Sequence, residues 1–104
     1  MTTPTITIEG KTYEMPRPKG RTWRKWVEFE DKLGDTVAAE VMEKRCEFLS
    51  DIYSGGLTKE TLLDNLYLDE IAQAYRDVTA YLLFLVSGKL EEVGKNVGEG
   101  DKTV

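Results

Sequence analysis

Between residues 36 and 53, Ala38, Met42, Cys46, Leu49 and Tyr53 recur at near-helical spacing, flanked by Val37, Val41, Phe48 and Ile52. An apolar stripe sustained over about four turns must be buried against another element, which commits the chain to helix packing. Asp35 or Thr36 is the expected cap of this helix, and Ser54, Gly55 and Gly56 end it. The same spacing returns in Ile71, Tyr75, Val78, Leu82 and Leu85, where Asp69 is the expected cap and Ser87-Gly88 the stop. Residues 89–93 are expected to add one further turn.

Two more helices fit between these signals. The first is predicted over residues 22–33, capped by Thr22 and stopped by Gly34, with Trp23, Trp26, Val27 and Leu33 near one face. A short one runs from the Thr58 cap through about residue 66 and presents Leu62, Leu63 and Leu66. Residues 5–15 have a different period: β-branched and aromatic residues alternate with polar ones on both sides of Glu9-Gly10-Lys11, the pattern of a hairpin. Ile6, Ile8, Tyr13 and Met15 then share one face, which must pack on the helices or pair with another chain, because an isolated hairpin is marginal in water. Pro16, Pro18 and Gly20 form the connector. From Gly94 onward three glycines and little apolar content predict a disordered tail. The expected fold class is therefore mainly α: an N-terminal β-hairpin and a bundle of about four helices in one domain over residues 1–93, followed by a flexible tail over residues 94–104.

With 104 residues there is a single core and little room for a deep cleft. Nineteen acids against fourteen bases give a net charge of −5, which disfavours nonspecific attraction to a phosphate backbone, so nucleic acid is not the expected partner. Histidine is absent, removing the usual general base and the commonest metal ligand. Cys46 is the single cysteine, so neither an intramolecular disulfide nor a cysteine-based zinc site can form, and it reads as a small buried apolar residue in a reducing cytoplasm. The first residues lack a signal-peptide pattern, and the longest apolar run, residues 81–86, is too short to span a bilayer.

Neither a phosphate loop nor a nucleophile elbow is present, so no catalytic, metal or cofactor-binding residues are expected and the chain reads as a non-enzyme. Glu28, Glu30, Glu40, Glu43 and Glu47 alternate with lysine and arginine and read as solvated helix faces. Residues 17–25 are different: Arg17, Lys19, Arg21, Arg24 and Lys25 are interleaved with Trp23 and Trp26, and no acid is among them. Cations in a first helical turn oppose the helix dipole by a few tenths of a kcal/mol each, so something should compensate. The readings, in order of weight, are salt bridges within the acidic chain, an acidic segment of a protein partner, and nucleic acid. The tryptophans follow helical spacing and read as core before stacking platforms. Residues 81–86 are apolar around the whole helix; with Leu82 and Leu85 assigned to the core stripe, Tyr81, Leu83 and Phe84 remain as a candidate interface, unless the helix is covered on all sides.

Taken together, the opening Ile6-Thr7-Ile8-Glu9-Gly10-Lys11-Thr12-Tyr13 hairpin, the Pro/Arg connector with Arg21-Thr22-Trp23, and Leu57-Thr58-Lys59-Glu60-Thr61-Leu62-Leu63-Asp64 ahead of a long apolar helix resemble the tail assembly chaperones of long-tailed, siphovirus-like bacteriophages and prophages. The resemblance spans about residues 5–90 and is one of architecture, with no single specific motif. It implies a protein of the bacterial host cytoplasm that binds tape measure protein and tail tube subunits during virion morphogenesis and is absent from the mature virion. It also implies, in many members, a longer frameshifted form, for which the segment from Gly94-Lys95 would suit the junction. The partner-binding residues expected are Tyr81, Leu83, Phe84, Arg17, Arg21 and Arg24, and self-association through the last helix or the hairpin edge is equally compatible. A structural tail or head-completion subunit and a small nucleic-acid-binding regulator are the alternatives.

Overall fold

The computed structural model describes residues 2–87, so the extra turn expected at residues 89–93 and the tail from Gly94 lie outside the described residues. Those residues are mainly helical, with a two-stranded antiparallel hairpin preceding four helices. Strands β1 (Thr5–Ile8) and β2 (Lys11–Glu14) pair with Ile6 opposite Tyr13 and Thr7 opposite Thr12. Glu9 and Gly10 both have positive φ, 50° and 81°, which is the two-residue turn whose twist matches that of the strands. Ile6, Ile8 and Met15 are buried and Tyr13 half-buried, while the Thr7 and Thr12 hydroxyls meet at 3.0 Å on the opposite face. The apolar face thus packs on the helices. The Ser54 amide and hydroxyl both donate to the Glu14 carbonyl, and Lys11 Nζ donates to the Gly55 carbonyl, fastening β2 to the turn that follows the second helix. Gly55 sits there at φ +93°, with Tyr13 so close that an added Cβ would lie 3.2 Å from its ring.

Helices α1 (Gly20–Leu33), α2 (Ala38–Ile52), α3 (Lys59–Asn65) and α4 (Leu68–Ser87) follow. One core joins the hairpin to α2, α3 and α4; Cys46, Leu49, Leu62 and Val78 are wholly excluded from solvent. The Thr58 hydroxyl caps α3 as expected, accepting from the Thr61 amide at 3.1 Å, an interaction that contributes about 1 kcal/mol.

The other helix starts differ from the sequence expectations, and hydrogen bonding shows why. Helical bonding in α1 begins at the Lys19 carbonyl, so Gly20 belongs to the helix rather than the connector, and Thr22 lies in its first turn rather than capping it. Asp35 and Thr36 do not cap α2: their amides donate to the Lys32 and Leu33 carbonyls and the Thr36 hydroxyl to the Lys32 carbonyl, so both residues finish α1, and Val37 precedes α2 without a side-chain cap. Asp69 lies inside the first turn of α4. The Glu70 carboxylate instead reaches back to accept from the Tyr67 amide at 2.8 Å, half of a capping box. The stripe of α2 is fully buried only from Cys46 onward: Met42 is half-buried against the core and Ala38 is exposed. Val27 is also exposed, off the packed face of α1, and Phe29 takes the inward place.

Candidate partner-binding site

Helix α4 buries one face along most of its length through Ile71, Tyr75, Val78 and Leu82. At its end the structure rearranges the expected exposed cluster. Tyr81 is buried, only 7% exposed, because the segment leading into β1 lies over it, bringing the Thr3 hydroxyl within 3.3 Å of the Tyr81 phenol. Leu83 and Phe84 are half-buried. Leu85, expected in the core, is 44% exposed, and Val86 is 61% exposed, since the last turn of α4 runs past the elements that cover the earlier turns. Leu85 and Val86 join Pro18, Gly20, Trp23 and Leu82 around a groove of about 210 Å³ between the end of α4 and the start of α1. At the other end of α4, Tyr67 and Leu68 form an exposed apolar corner. The pair stands at the start of α4, ahead of the buried stripe that begins at Ile71, so helical period does not single it out.

The first turn of α1 brings part of the basic segment together. Arg17, Lys19, Arg21 and Lys25 line a pocket of about 320 Å³, walled by Met15, Pro16, Thr22, Asp51 and Ile52. Arg24 is exposed and does not line it. Lys25 pairs with Asp51 at 2.9 Å, but among the described residues Arg17, Lys19, Arg21 and Arg24 make no ion pair. The expectation that salt bridges within the acidic chain balance this segment therefore holds for Lys25 alone. The remaining bridges gather on α2 and Lys59. Trp23 and Trp26 are half-buried against the core with ring centroids 5.1 Å apart, and the Trp26 indole N–H donates to the Thr79 hydroxyl at 3.2 Å.

Helices α1 and α2 enclose a third groove of about 620 Å³, lined by Phe29 and Phe48 and by charges of both signs, including Lys32, Lys44, Glu28 and Glu47. Phe29 stacks on Phe48 at 4.9 Å, and Phe48 meets Tyr75 edge-on at 6.0 Å. Phe29 recurs three residues after Trp26, a spacing that could have revealed it.

Chemically these surfaces offer charge and apolar area. Among the described residues, no group of three or more histidine, cysteine, aspartate or glutamate side chains could hold a metal ion, and no helix is long and apolar enough to cross a membrane. Cys46 is wholly buried, and burial, reinforced by the charge of Glu43, pushes its thiol up, away from the reactive thiolate. Two phenols are also pushed up: Tyr75 by burial and by its donated hydrogen bond to the Glu30 carboxylate, Tyr53 by burial and by the charge of Asp77. Both folded-state values lie above the unfolded value of about 10, so the unfolded chain gives up these protons first and stability falls as the pH rises beyond that value. The urea midpoint is expected to decline above about pH 10, and Tyr53→Phe with Tyr75→Phe should flatten that decline; an unchanged alkaline slope in the double variant would exclude these tyrosines as its source.

The chain matches no protein-family model, and no curated protein or solved structure is significantly similar to it.

Proposed function

We propose that this chain is a non-catalytic protein-binding module that shields apolar segments of its partner, and that the partner is the tape measure protein of a long-tailed phage or prophage, with tail tube subunits joining during tail assembly in the bacterial cytoplasm. The observation that carries the protein-binding reading is the exposure of Leu85 and Val86 at the end of α4, beside half-buried Leu83 and Phe84 and an apolar groove. Apolar side chains clustered at a helix end facing a groove suit an incoming helix, the geometry by which amphipathic segments are held. The phage assignment is supported by the order of elements, hairpin then helices, and by the residues that resemble the tail assembly chaperones.

Coexpression with an aggregation-prone tape measure protein tests this. The wild-type chain is expected to keep it soluble. Leu85→Asp with Val86→Asp should abolish the rescue while preserving the far-ultraviolet circular dichroism of the domain, since both side chains are exposed. Undiminished rescue by the folded double variant would remove the α4 end as the binding surface, and recovery of the chain in purified virions would favour a structural subunit.

A further inference from the structure

The pocket at the start of α1 and the apolar groove beside it are one surface. Lys19 lines both, and the first turn of α1 separates them: Arg21 and Thr22 face the pocket, Gly20 and Trp23 the groove. On one side stand Arg17, Lys19 and Arg21, which make no ion pair among the described residues; on the other stand Trp23, Leu82, Leu85 and Val86. Asp51, the acid in the pocket wall, is already engaged by Lys25. The turn between them has no side-chain cap and no acid, so its amide ends add to the positive field.

We infer that this composite surface binds an acidic amphipathic helical segment of the protein partner, its carboxylates meeting Arg17, Lys19 and Arg21 and its apolar side chains entering the groove beside Trp23, Leu85 and Val86. The inference deepens the protein-binding reading and rests on it. Charge complementarity selects the occupant: three cations that make no ion pair among the described residues, gathered in one pocket, form a local attraction for carboxylates, and guanidinium groups match a carboxylate in bidentate fashion. A nucleic-acid backbone suits the site less well. Arg17, Lys19 and Arg21 gather in one pocket instead of tracking along a surface, and apolar Met15 and Ile52 wall that pocket.

The test titrates the full-length isotope-labelled chain with a synthetic helical peptide of leucine and glutamate at helical spacing, with the same peptide carrying lysine for glutamate, and with a DNA duplex. With the glutamate peptide, amide shifts are expected in residues 17–23 and methyl shifts in Leu85 and Val86, weakening as salt is added. Arg17→Glu with Arg21→Glu should weaken binding by about tenfold or more. No saturable binding below about millimolar peptide, unchanged affinity in the folded double variant, tighter binding of the lysine peptide or of DNA, or self-association of the wild-type chain through these residues would each overturn the site. The two proposals fail separately. Tape measure rescue with a negative peptide titration sinks this site alone, whereas peptide binding without rescue sinks the chaperone assignment and leaves the site.

Discussion

Leu49→Ala is expected to remove about 2–5 kcal/mol of stability, a large fraction of the roughly 5–15 kcal/mol that holds a domain of this size together. Leu49 is 0% exposed and lies on α2 one turn beyond Cys46, in the core it shares with Leu62 on α3 and Val78 on α4. Truncation loses the transfer energy of the side chain and leaves a cavity that elements packed from three sides cannot close. In urea the midpoint should fall with the slope unchanged, since the surface exposed on unfolding is nearly the same. Val27→Ala is the matched control: Val27 is exposed on the outer side of α1, and its loss should stay within about 0.5 kcal/mol. Equal losses at the two positions would mean that the core is not where the structure puts it.

Phe48→Ala should cost about 3–5 kcal/mol and should loosen α1 more than the rest of the fold. No residue of α1 is fully buried. The helix is held by the stack of Phe29 on Phe48, the Trp26–Thr79 and Tyr75–Glu30 hydrogen bonds, and the exposed Lys25–Asp51 pair, which by itself contributes little. Removing the Phe48 ring deletes the Phe29 stack and strips Tyr75 of its edge partner, leaving the tilted Phe29–Tyr75 contact at 5.6 Å as the remaining ring contact of Phe29. A double-mutant cycle with Phe29→Ala is expected to show a coupling of about 0.5–1.5 kcal/mol, the worth of an aromatic pair beyond its buried area. Hydrogen exchange supplies the second readout: amides of α1 should lose protection in Phe48→Ala before those of α2 and α4. Strict additivity in the cycle, or uniform loss of protection, would show that α1 is anchored elsewhere.

The loosely held helix matters for the binding proposals, because the start of α1 forms one wall of both depressions at the candidate site. A partner that bridges the first turn of α1 and the end of α4 would tie the least buried helix to one of the most buried.

Much of this architecture was legible in the residues. Alternation over residues 5–15 identified the hairpin and its inward residues, since side chains in a strand repeat every two positions whatever lies beneath them. The Thr58 cap was legible because its partner, the Thr61 amide, is local. Caps failed where several polar residues stood near one helix end: Thr22, Asp35, Thr36 and Asp69 each have the right chemistry, but the ends are placed by packing of the apolar faces, with Thr36 spent on closing α1.

By itself the sequence determined the class of the fold, the faces of the hairpin, the central stripes of α2 and α4, and the absence of histidine and of cysteine pairs, because each depends on local period or residue type. Only the tertiary structure decided which end residues of α4 are covered. Tyr81 and Leu85 lie one turn apart on the same helix, and the difference between them is that the chain before β1 crosses Tyr81 and nothing described crosses Leu85. It likewise decided that Lys25 pairs with Asp51 while Arg17, Lys19 and Arg21 make no ion pair among the described residues. Ion pairing over tens of residues depends on where helices cross, and period along a chain does not encode that crossing.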